Sequence, residues 1–281
     1  MNDATEQPPM KKGLSGTALR VATVVPLIPI ILWMMFAGPR WLWQAFILAA
    51  IAIGGYELMS MNFPSSRGLR IWGSITSVLF AYAIIFMTSS SALYGIVLII
   101  VLGAMAWSLL QEDPLHNGSI RVGWLLATPI YVGGTLAAVA LIRDFDPTGA
   151  WVLLAMALAW GSDTAAYFVG RKFGKTKLAP RISPKKTLAG SAGGLGASVV
   201  GALAMSFFLP DLGPVDAIAL GVLAGSAGQA GDLFISVLKR SSGVKDSGGI
   251  LPGHGGILDR VDALAFTAPA TWAYGHFIAG F

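Results

Sequence analysis

The chain is dominated by long apolar runs that are separated by short polar segments. The apolar runs lie near residues 18–38, 41–61, 69–89, 92–110, 121–142, 149–170, 190–209, 216–238 and 257–280. Each run is about 20 residues long, and a helix of that length rises about 1.5 Å per residue and crosses roughly 30 Å of hydrocarbon. The pattern predicts an all-α polytopic membrane protein with about nine transmembrane helices. Its two termini are expected on opposite sides of the membrane.

Composition excludes several other classes of protein. Charged residues make up 12% of the chain and hydrophobic residues 55%, whereas a soluble domain has about 25% charged residues. The sequence contains 0 cysteines, which excludes disulfides, thiolate metal sites and cysteine nucleophiles. The first apolar run is too long for the core of a cleavable signal peptide, so no such peptide is expected.

The lysines and arginines predict how the chain is oriented. If the N-terminus is cytoplasmic, 17 of the 19 basic residues fall on cytoplasmic ends and loops, and only Arg40 and Arg143 lie on the other side. This bias is typical of a protein in the inner (cytoplasmic) membrane whose charged motifs face the cytoplasm. Together with an anionic substrate it accounts for the net charge of +5, so a nucleic-acid partner is not expected.

The chain divides into three parts by the distribution of its polar residues. Residues 1–17 form a polar N-terminal tail, residues 18–145 carry the first five predicted helices and are interpreted as structural, and residues 146–281 carry helices six to nine and the catalytic groups. One carboxylate, Glu57, interrupts the structural part. It is interpreted as a side chain that snorkels from the last helical turn or pairs with an arginine.

A strongly basic loop follows the sixth predicted helix, which carries Asp163 near its cytoplasmic end. Residues 171–189 include 7 basic residues and no acid. The segment 170–176 resembles a P-loop but has three residues between its glycines where that motif has four. The basic residues of the loop could bind substrate phosphate or anionic lipid headgroups, and both alternatives remain open.

Carboxylates recur at the cytoplasmic ends of the last two predicted helices. Asp232, Ser236 and Arg240 are spaced four residues apart and share one helix face, and Asp259 and Asp262 share a face of the next helix. An unpaired carboxylate in such a position costs a few kcal/mol at least. Two arrangements would remove that cost: a set of internal salt bridges to nearby lysines and arginines, or a magnesium ion, which prefers oxygen ligands and substrate phosphates.

The glycine-rich segment 253–256 comes directly before the ninth predicted helix. Its backbone N–H groups could bind phosphate, because glycines allow a ligand to approach closely. His254 could hydrogen-bond phosphate or protonate a leaving group, and no second histidine is near enough in sequence to suggest a metal site. Ser236 has no base partner, so covalent serine catalysis is not expected.

The segment from Ser236 to Asp262 resembles, over 27 residues, the signature of the phosphatidate cytidylyltransferases (CDP-diacylglycerol synthases). The pattern reads S-x-apolar-K-R-x4-K-D-x-small-x2-apolar-P-x-H-G-G-apolar-x-D-R-apolar-D. Residues 163–177 and 183–187 also resemble the family. One departure is Ala189, where family members often have glutamate or glutamine.

The resemblance implies an enzyme that converts CTP and phosphatidate into CDP-diacylglycerol and pyrophosphate. It implies magnesium as the cofactor, with a second cation left open, and a homodimer. The catalytic residues are expected to be Asp232, Lys239, Arg240, His254, Asp259 and Arg260. The substrate-binding residues are expected to be Arg171, Lys175, Ser183, Lys185, Lys186, Ser236, Lys245, Gly255 and Gly256. The metal ligands are expected among Asp163, Asp232, Asp246, Asp259 and Asp262.

Two other functions compete with this interpretation. A CTP-dependent kinase of polyprenol or phytol could use a related membrane scaffold, although the complete signature argues against it. A cation-coupled transporter could use buried acids as ion sites, but such sites usually lie near the middle of the membrane. An enzyme that acts on a lipid phosphate is expected to have a polar cavity at the cytoplasmic interface that is open to lipid.

Overall fold

The protein is a bundle of helices with one small β-hairpin. The computed structural model describes residues 26–111, 117–250 and 255–281, so the predicted polar tail lies outside the described residues. The helices of the first part are α1 (Leu27–Phe36), α2 (Arg40–Asn62), α3 (Arg67–Phe86), α4 (Ser90–Leu109) and α5 (Gly118–Ile142). The later helices are α6 (Ala150–Phe173), α7 (Leu188–Ser206), α8 (Pro214–Ser241), α9 (Leu258–Val261) and α10 (Leu264–Tyr274). Short π-helical segments occur at Pro129–Gly134 in α5, at Ala157–Gly161 in α6 and at Gly275–Ala279 after α10.

The prediction of a polytopic all-α membrane protein is confirmed. Within the described ranges, 7 helices, α2 to α8, are each long and apolar enough to cross a membrane. A helix is suited to that position because it satisfies its own backbone hydrogen bonds where no water is present. The last predicted span consists of α9 and α10, with a turn at residues 262–263 between them. The total of nine spans and their orientation stay predictions.

The hairpin is an element that the all-α prediction did not include. Strand β1 (Lys177–Ala179) pairs antiparallel with β2 (Ser183–Thr187) within the basic loop. The strands are rich in lysine and contain a proline, so they lack the apolar alternation that predicts a strand. Thr187 joins the hairpin to α7, because its Oγ1 accepts the N–H of Gly190 at 3.1 Å and caps that helix.

Helix α7 packs closely between α6 and α8. Glycines make this possible: a Cβ atom added to Gly190 would lie 2.7 Å from the carbonyl oxygen of Ala166, and one added to Gly194 would lie 2.9 Å from that of Ser162. Small residues at such contacts allow two helix backbones to approach each other in a membrane. The close packing fixes the hairpin, at the start of α7, beside the end of α6.

One hydrophobic core extends through both the predicted structural part and the predicted catalytic part. Trp43 on α2 is 2% exposed and donates its Nε1–H to the carbonyl of Val139 on α5 at 3.2 Å. Trp151 on α6 is 1% exposed in the same core. The division of the chain into a structural and a catalytic part stays a prediction.

Several elements meet at one end of the bundle, which we call the charged end and define by Lys186, Asp232, Lys239 and Asp259. Helices α2, α6 and α8 end there, the hairpin lies there, and α9 begins there. The opposite end carries an exposed ion pair at 3.4 Å between Arg40, where α2 begins, and Asp144. The structure therefore brings Lys186, Asp232, Lys239 and Asp259, four of the described predicted site residues, to a single end of the molecule.

Candidate active site

Two lysine–aspartate ion pairs form at the charged end. Lys186 on β2 pairs with Asp232 on α8, and their side chains are 26% and 19% exposed. Lys239, two turns further along α8, donates its Nζ to Asp259 Oδ1 at 2.7 Å, and these side chains are only 12% and 5% exposed. The two acids that the sequence predicts at the centre of the site are thus each neutralised by a lysine.

Two other carboxylates act on Asp232 electrostatically. Asp163 on α6 and Asp262, between α9 and α10, each interact electrostatically with Asp232 and with one another. The positive charge of Lys186 attracts Asp163, and that of Lys239 attracts Asp262, which partly offsets the repulsion among the carboxylates. Like charges at this depth repel each other strongly unless cations lie between them. The arrangement can therefore take up positive charge.

Asp259 is held by hydrogen bonds on both of its oxygen atoms. Its Oδ1 accepts from Lys239, and its Oδ2 accepts from the backbone N–H of Ser247 at 2.8 Å, the hydroxyl of Ser247 at 3.0 Å and the N–H of Gly256 at 3.0 Å. Charge-assisted hydrogen bonds of this kind are stronger than those between neutral groups. Asp259 therefore has a fixed orientation.

Together with Ser247, Glu57 is a residue of this site that sequence reasoning missed. Its carboxylate, 5% exposed, accepts the N–H groups of Ile257 and Leu258 at 3.0 Å each and competes with Asp259 for the proton of the Ser247 hydroxyl, which lies 3.1 Å away. The interpretation as a snorkelling side chain or a partner of an arginine is wrong, because the bonds go to the backbone before and within α9. A lone carboxylate in an apolar span is itself a functional signal, and that signal could have identified it.

The glycines of the signature fit tightly around these acids. Gly255 has a φ of 80°, and a Cβ atom there would lie 2.7 Å from Asp259 Oδ2, so a side chain is excluded by both conformation and space. A Cβ atom on Gly256 would collide with Ser247 and Glu57. The N–H of Gly256 points to Asp259, so it is already occupied by one of the protein's own acids.

The other predicted site residues differ in exposure. The exposed ones are Arg171, Lys175, Lys185, Arg240, Lys245, Asp246 and Arg260. Ser183 is half-buried and Ser236 is 9% exposed. Arg240 donates to the carbonyl of Val244 at 3.2 Å, and the carbonyl of Arg260 accepts from Trp160 Nε1 at 3.2 Å. His254 lies outside the described residues.

Comparison with known proteins identifies the family. The profile of the cytidylyltransferase family matches residues 18–278. The chain belongs to the cytidylyltransferase family. The resemblance seen in the signature is therefore confirmed, and it extends over nearly the whole chain.

Individual relatives cover the same length. A phosphatidate cytidylyltransferase of Brucella suis is 34% identical over 275 residues, which is 95% of this chain and 96% of that protein. A phosphatidate cytidylyltransferase of Thermotoga maritima is 32% identical over 243 residues, covering 83% of this chain and 87% of that protein. An uncharacterized protein of Escherichia coli K12, YnbB, is 35% identical over 268 residues, covering 93% of this chain and 87% of that protein.

Membership of this family makes the protein a membrane-bound nucleotidyltransferase. It favours cytidylyl transfer over the lipid kinase and the transporter. The roles of the individual site residues stay predictions, including those of the carboxylates in metal binding.

A surface cavity of about 390 Å³ lies at the opposite end, where Leu141, Asp144, Trp272 and His276 are among its lining residues. None of the predicted site residues lines it. The expected polar cavity at the charged end stays a prediction. At that end the side chains of Lys186 and Lys239 contact Asp232 and Asp259, respectively.

Proposed function

We propose that the protein is a phosphatidate cytidylyltransferase, which forms CDP-diacylglycerol and pyrophosphate from CTP and phosphatidate. The observation that carries the proposal is the pair of lysine-neutralised acids, Asp232 and Asp259, at the end of a membrane bundle. These residues lie in or beside the signature segment, in a chain of this family whose relatives bear that name.

The reaction joins two polyanions. An oxygen of the lipid phosphate attacks the α-phosphorus of CTP in line, the bond from the α-phosphorus to the bridging oxygen of the β-phosphate breaks, and pyrophosphate leaves with that electron pair. The lipid phosphate is already anionic, so a strong general base is not required. The main task of the protein is to hold both substrates in line and to screen their charges.

The acidic residues are suited to magnesium by the chemistry of their donor atoms. Asp163, Asp232 and Asp262 offer only oxygen, as this ion prefers. Among the described residues no group of 3 or more His, Cys, Asp or Glu side chains could hold a metal ion, so an ion here would take one or two carboxylates and complete its shell with substrate phosphates and water. When bound, magnesium would neutralise charge on the phosphates. Asp232 and Asp259 would hold it, Asp259 through the oxygen that now accepts from Lys239, and Asp163 or Asp262 would be the alternative partner of Asp232.

The lysines and arginines would bind the phosphate groups. Lys186 and Lys239 now contact Asp232 and Asp259. Each lysine could instead bind a substrate phosphate if a cation neutralised the aspartate. Arg171, Lys175 and Lys185 are exposed around the hairpin, and we assign them to the approach of CTP or of the lipid headgroup. The charged end faces the cytoplasm, where CTP is, at the inner membrane, and the active protein is a homodimer.

The decisive experiment uses purified protein in detergent. We expect pyrophosphate release from CTP and magnesium only when phosphatidate is added, with CDP-diacylglycerol formed in equal amount. Release of CDP together with a phosphorylated polyprenol or phytol would indicate the lipid kinase instead. A transporter would release neither product.

A further inference from the structure

Glu57 connects the early part of the chain to the signature segment. The carboxylate lies on α2 and is separated by 200 residues from Ile257 and by 201 from Leu258, whose N–H groups it accepts. It is 5% exposed, so few of its polar contacts can be supplied by solvent. A carboxylate that is buried in an apolar helix is costly unless such donors compensate it.

The contacts show which part of the site depends on Glu57. The N–H groups of the residues that open α9 have no partner within their own helix, and Glu57 supplies one to Ile257 and to Leu258. A Cβ atom on Gly248 would lie 2.6 Å from Glu57 Oε1, so the segment after Ser247 also packs directly on the carboxylate. Glu57 thus contacts the signature segment at two described stretches, residues 247–249 and 255–258, which together we call the signature turn.

Ser247 extends the connection to Asp259. Its hydroxyl lies 3.1 Å from Glu57 Oε2 and 3.0 Å from Asp259 Oδ2, and its backbone N–H donates to Asp259 Oδ2 at 2.8 Å. The hydroxyl has one proton and can donate to only one carboxylate at a time. Ser247 is 3% exposed and therefore links the two acids without bulk water.

We propose that Glu57 is a positioning residue, which orients Asp259 by holding the turn that contains Ser247, Gly256 and Ile257. The proposal deepens the cytidylyltransferase function and rests on it for the kinetic consequence. Glu57 need not touch either substrate. Its effect passes through the donors that fix Asp259, and a displacement of about 1 Å in such a group can reduce a rate about 100-fold.

The absence of cysteine from the chain allows a direct test of the turn. Gly249 is exposed, and a Cβ atom there would have nothing within 4 Å. A spin label on Gly249→Cys therefore reports the mobility of the turn with no background labelling. A second label on Gly196→Cys in α7, which is also exposed and has open space, serves as the reference.

Glu57→Gln is the principal variant. The glutamine amide has the same shape as the carboxylate, but its NH₂ group cannot accept a hydrogen bond. It would therefore face the N–H of Ile257 or of Leu258 without bonding to it. We expect greater mobility of the label at 249 and an unchanged spectrum at 196. The matched control is Asn62→Ala on the same helix, which removes the 3.1 Å contact to Ser242 at the end of α8 and leaves the signature turn in place.

The kinetic readout separates positioning from a loss of folded protein. In Glu57→Gln we expect kcat to fall about 10- to 100-fold and the magnesium concentration for half-maximal activity to rise at least about fivefold, which is about 1 kcal/mol. A smaller folded fraction would lower the maximal rate alone. In Asn62→Ala both constants should stay within about twofold of the wild-type values.

The outcomes are distinct. Wild-type mobility of the label at 249 in Glu57→Gln would overturn the proposal. Increased mobility with an unchanged magnesium dependence would also overturn it, because Glu57 would then hold the turn without orienting Asp259. If Glu57→Gln does not fold, Ser247→Ala, which removes the hydroxyl between Glu57 and Asp259, should raise both the label mobility at 249 and the magnesium concentration for half-maximal activity, and no change in either would overturn the proposal. If the wild-type protein has no cytidylyltransferase activity, the proposed function fails, and label mobility alone decides whether Glu57 holds the turn.

Discussion

The two lysine–aspartate pairs of the charged end join the same residue types but differ in their surroundings. The Lys186–Asp232 pair joins a hairpin to a helix, is partly exposed, and lies among other carboxylates. The Lys239–Asp259 pair is nearly buried, and Asp259 accepts three further hydrogen bonds. This difference suggests that Asp232 can exchange its lysine for another cation, whereas Asp259 is kept in one orientation.

Asp232→Asn should give the largest loss of activity. The change removes the negative charge of Asp232, to which a cation that also contacts the substrate phosphates would bind. We therefore expect kcat to fall at least about 100-fold. The protein should fold normally, because the change also relieves repulsion from Asp163 and Asp262. Pyrophosphate release and the thermal transition of the 9 tryptophans, measured by fluorescence, check both points. Activity within about tenfold of the wild type would remove Asp232 from the centre of the site.

Asp259→Asn should combine a large loss of activity with a loss of stability. The change leaves Lys239 charged, nearly buried and without its ion pair, and breaking a buried pair costs about 3 kcal/mol or more. We therefore expect a Tm clearly below that of Asp232→Asn in the same detergent. Equal Tm values for the two variants would show that the pairs do not differ in the way their burial indicates.

Lys186 and Lys185 provide a comparison within one strand. Lys186 is half-buried against Asp232 and Lys185 is exposed, since neighbouring residues of a strand point to opposite faces. Lys186→Gln should lower kcat about tenfold, equivalent to about 1.4 kcal/mol in the barrier. Lys185→Gln should leave kcat within about threefold and act on KM for CTP or phosphatidate. Steady-state kinetics with each substrate varied would check this, and equal effects on kcat would mean that the hairpin acts only through its total charge.

The Arg40–Asp144 pair at the opposite end should show the smallest effect. Its side chains are 58% and 37% exposed, and exposed pairs contribute about 0 to 1 kcal/mol. Arg40→Gln should therefore keep activity within about twofold and change the Tm little. A large loss of activity would place a functional group at the end of the bundle that carries none of the predicted site residues.

The helices could be predicted from the sequence because their cause is local. An apolar run of membrane length must form a helix, and the predicted spans 41–61 and 216–238 differ by only a few residues from Arg40–Asn62 and Pro214–Ser241. Helical spacing alone could also place Asp232, Ser236 and Arg240 on one face of α8.

The contacts between distant segments could not be predicted in this way. Glu57 meets its donors 200 residues later, and no local pattern encodes that pairing. The hairpin was missed because Lys-Lys and Pro do not resemble a strand until a partner strand is present. The choice of Lys186 for Asp232 depends on how α7 packs on α8, and the choice of Lys239 for Asp259 depends on how α9 lies against α8.

The bond from Glu57 to α9 also has a consequence for how the protein is made. Helix α2 leaves the ribosome about 200 residues before Ile257 and Leu258, which at usual rates of synthesis is a delay of about 10 to 40 seconds. During that time the carboxylate has none of its final donors and must stay hydrated at the membrane surface. The site cannot form until the last segment has been inserted, so an incompletely synthesised chain cannot be an active enzyme.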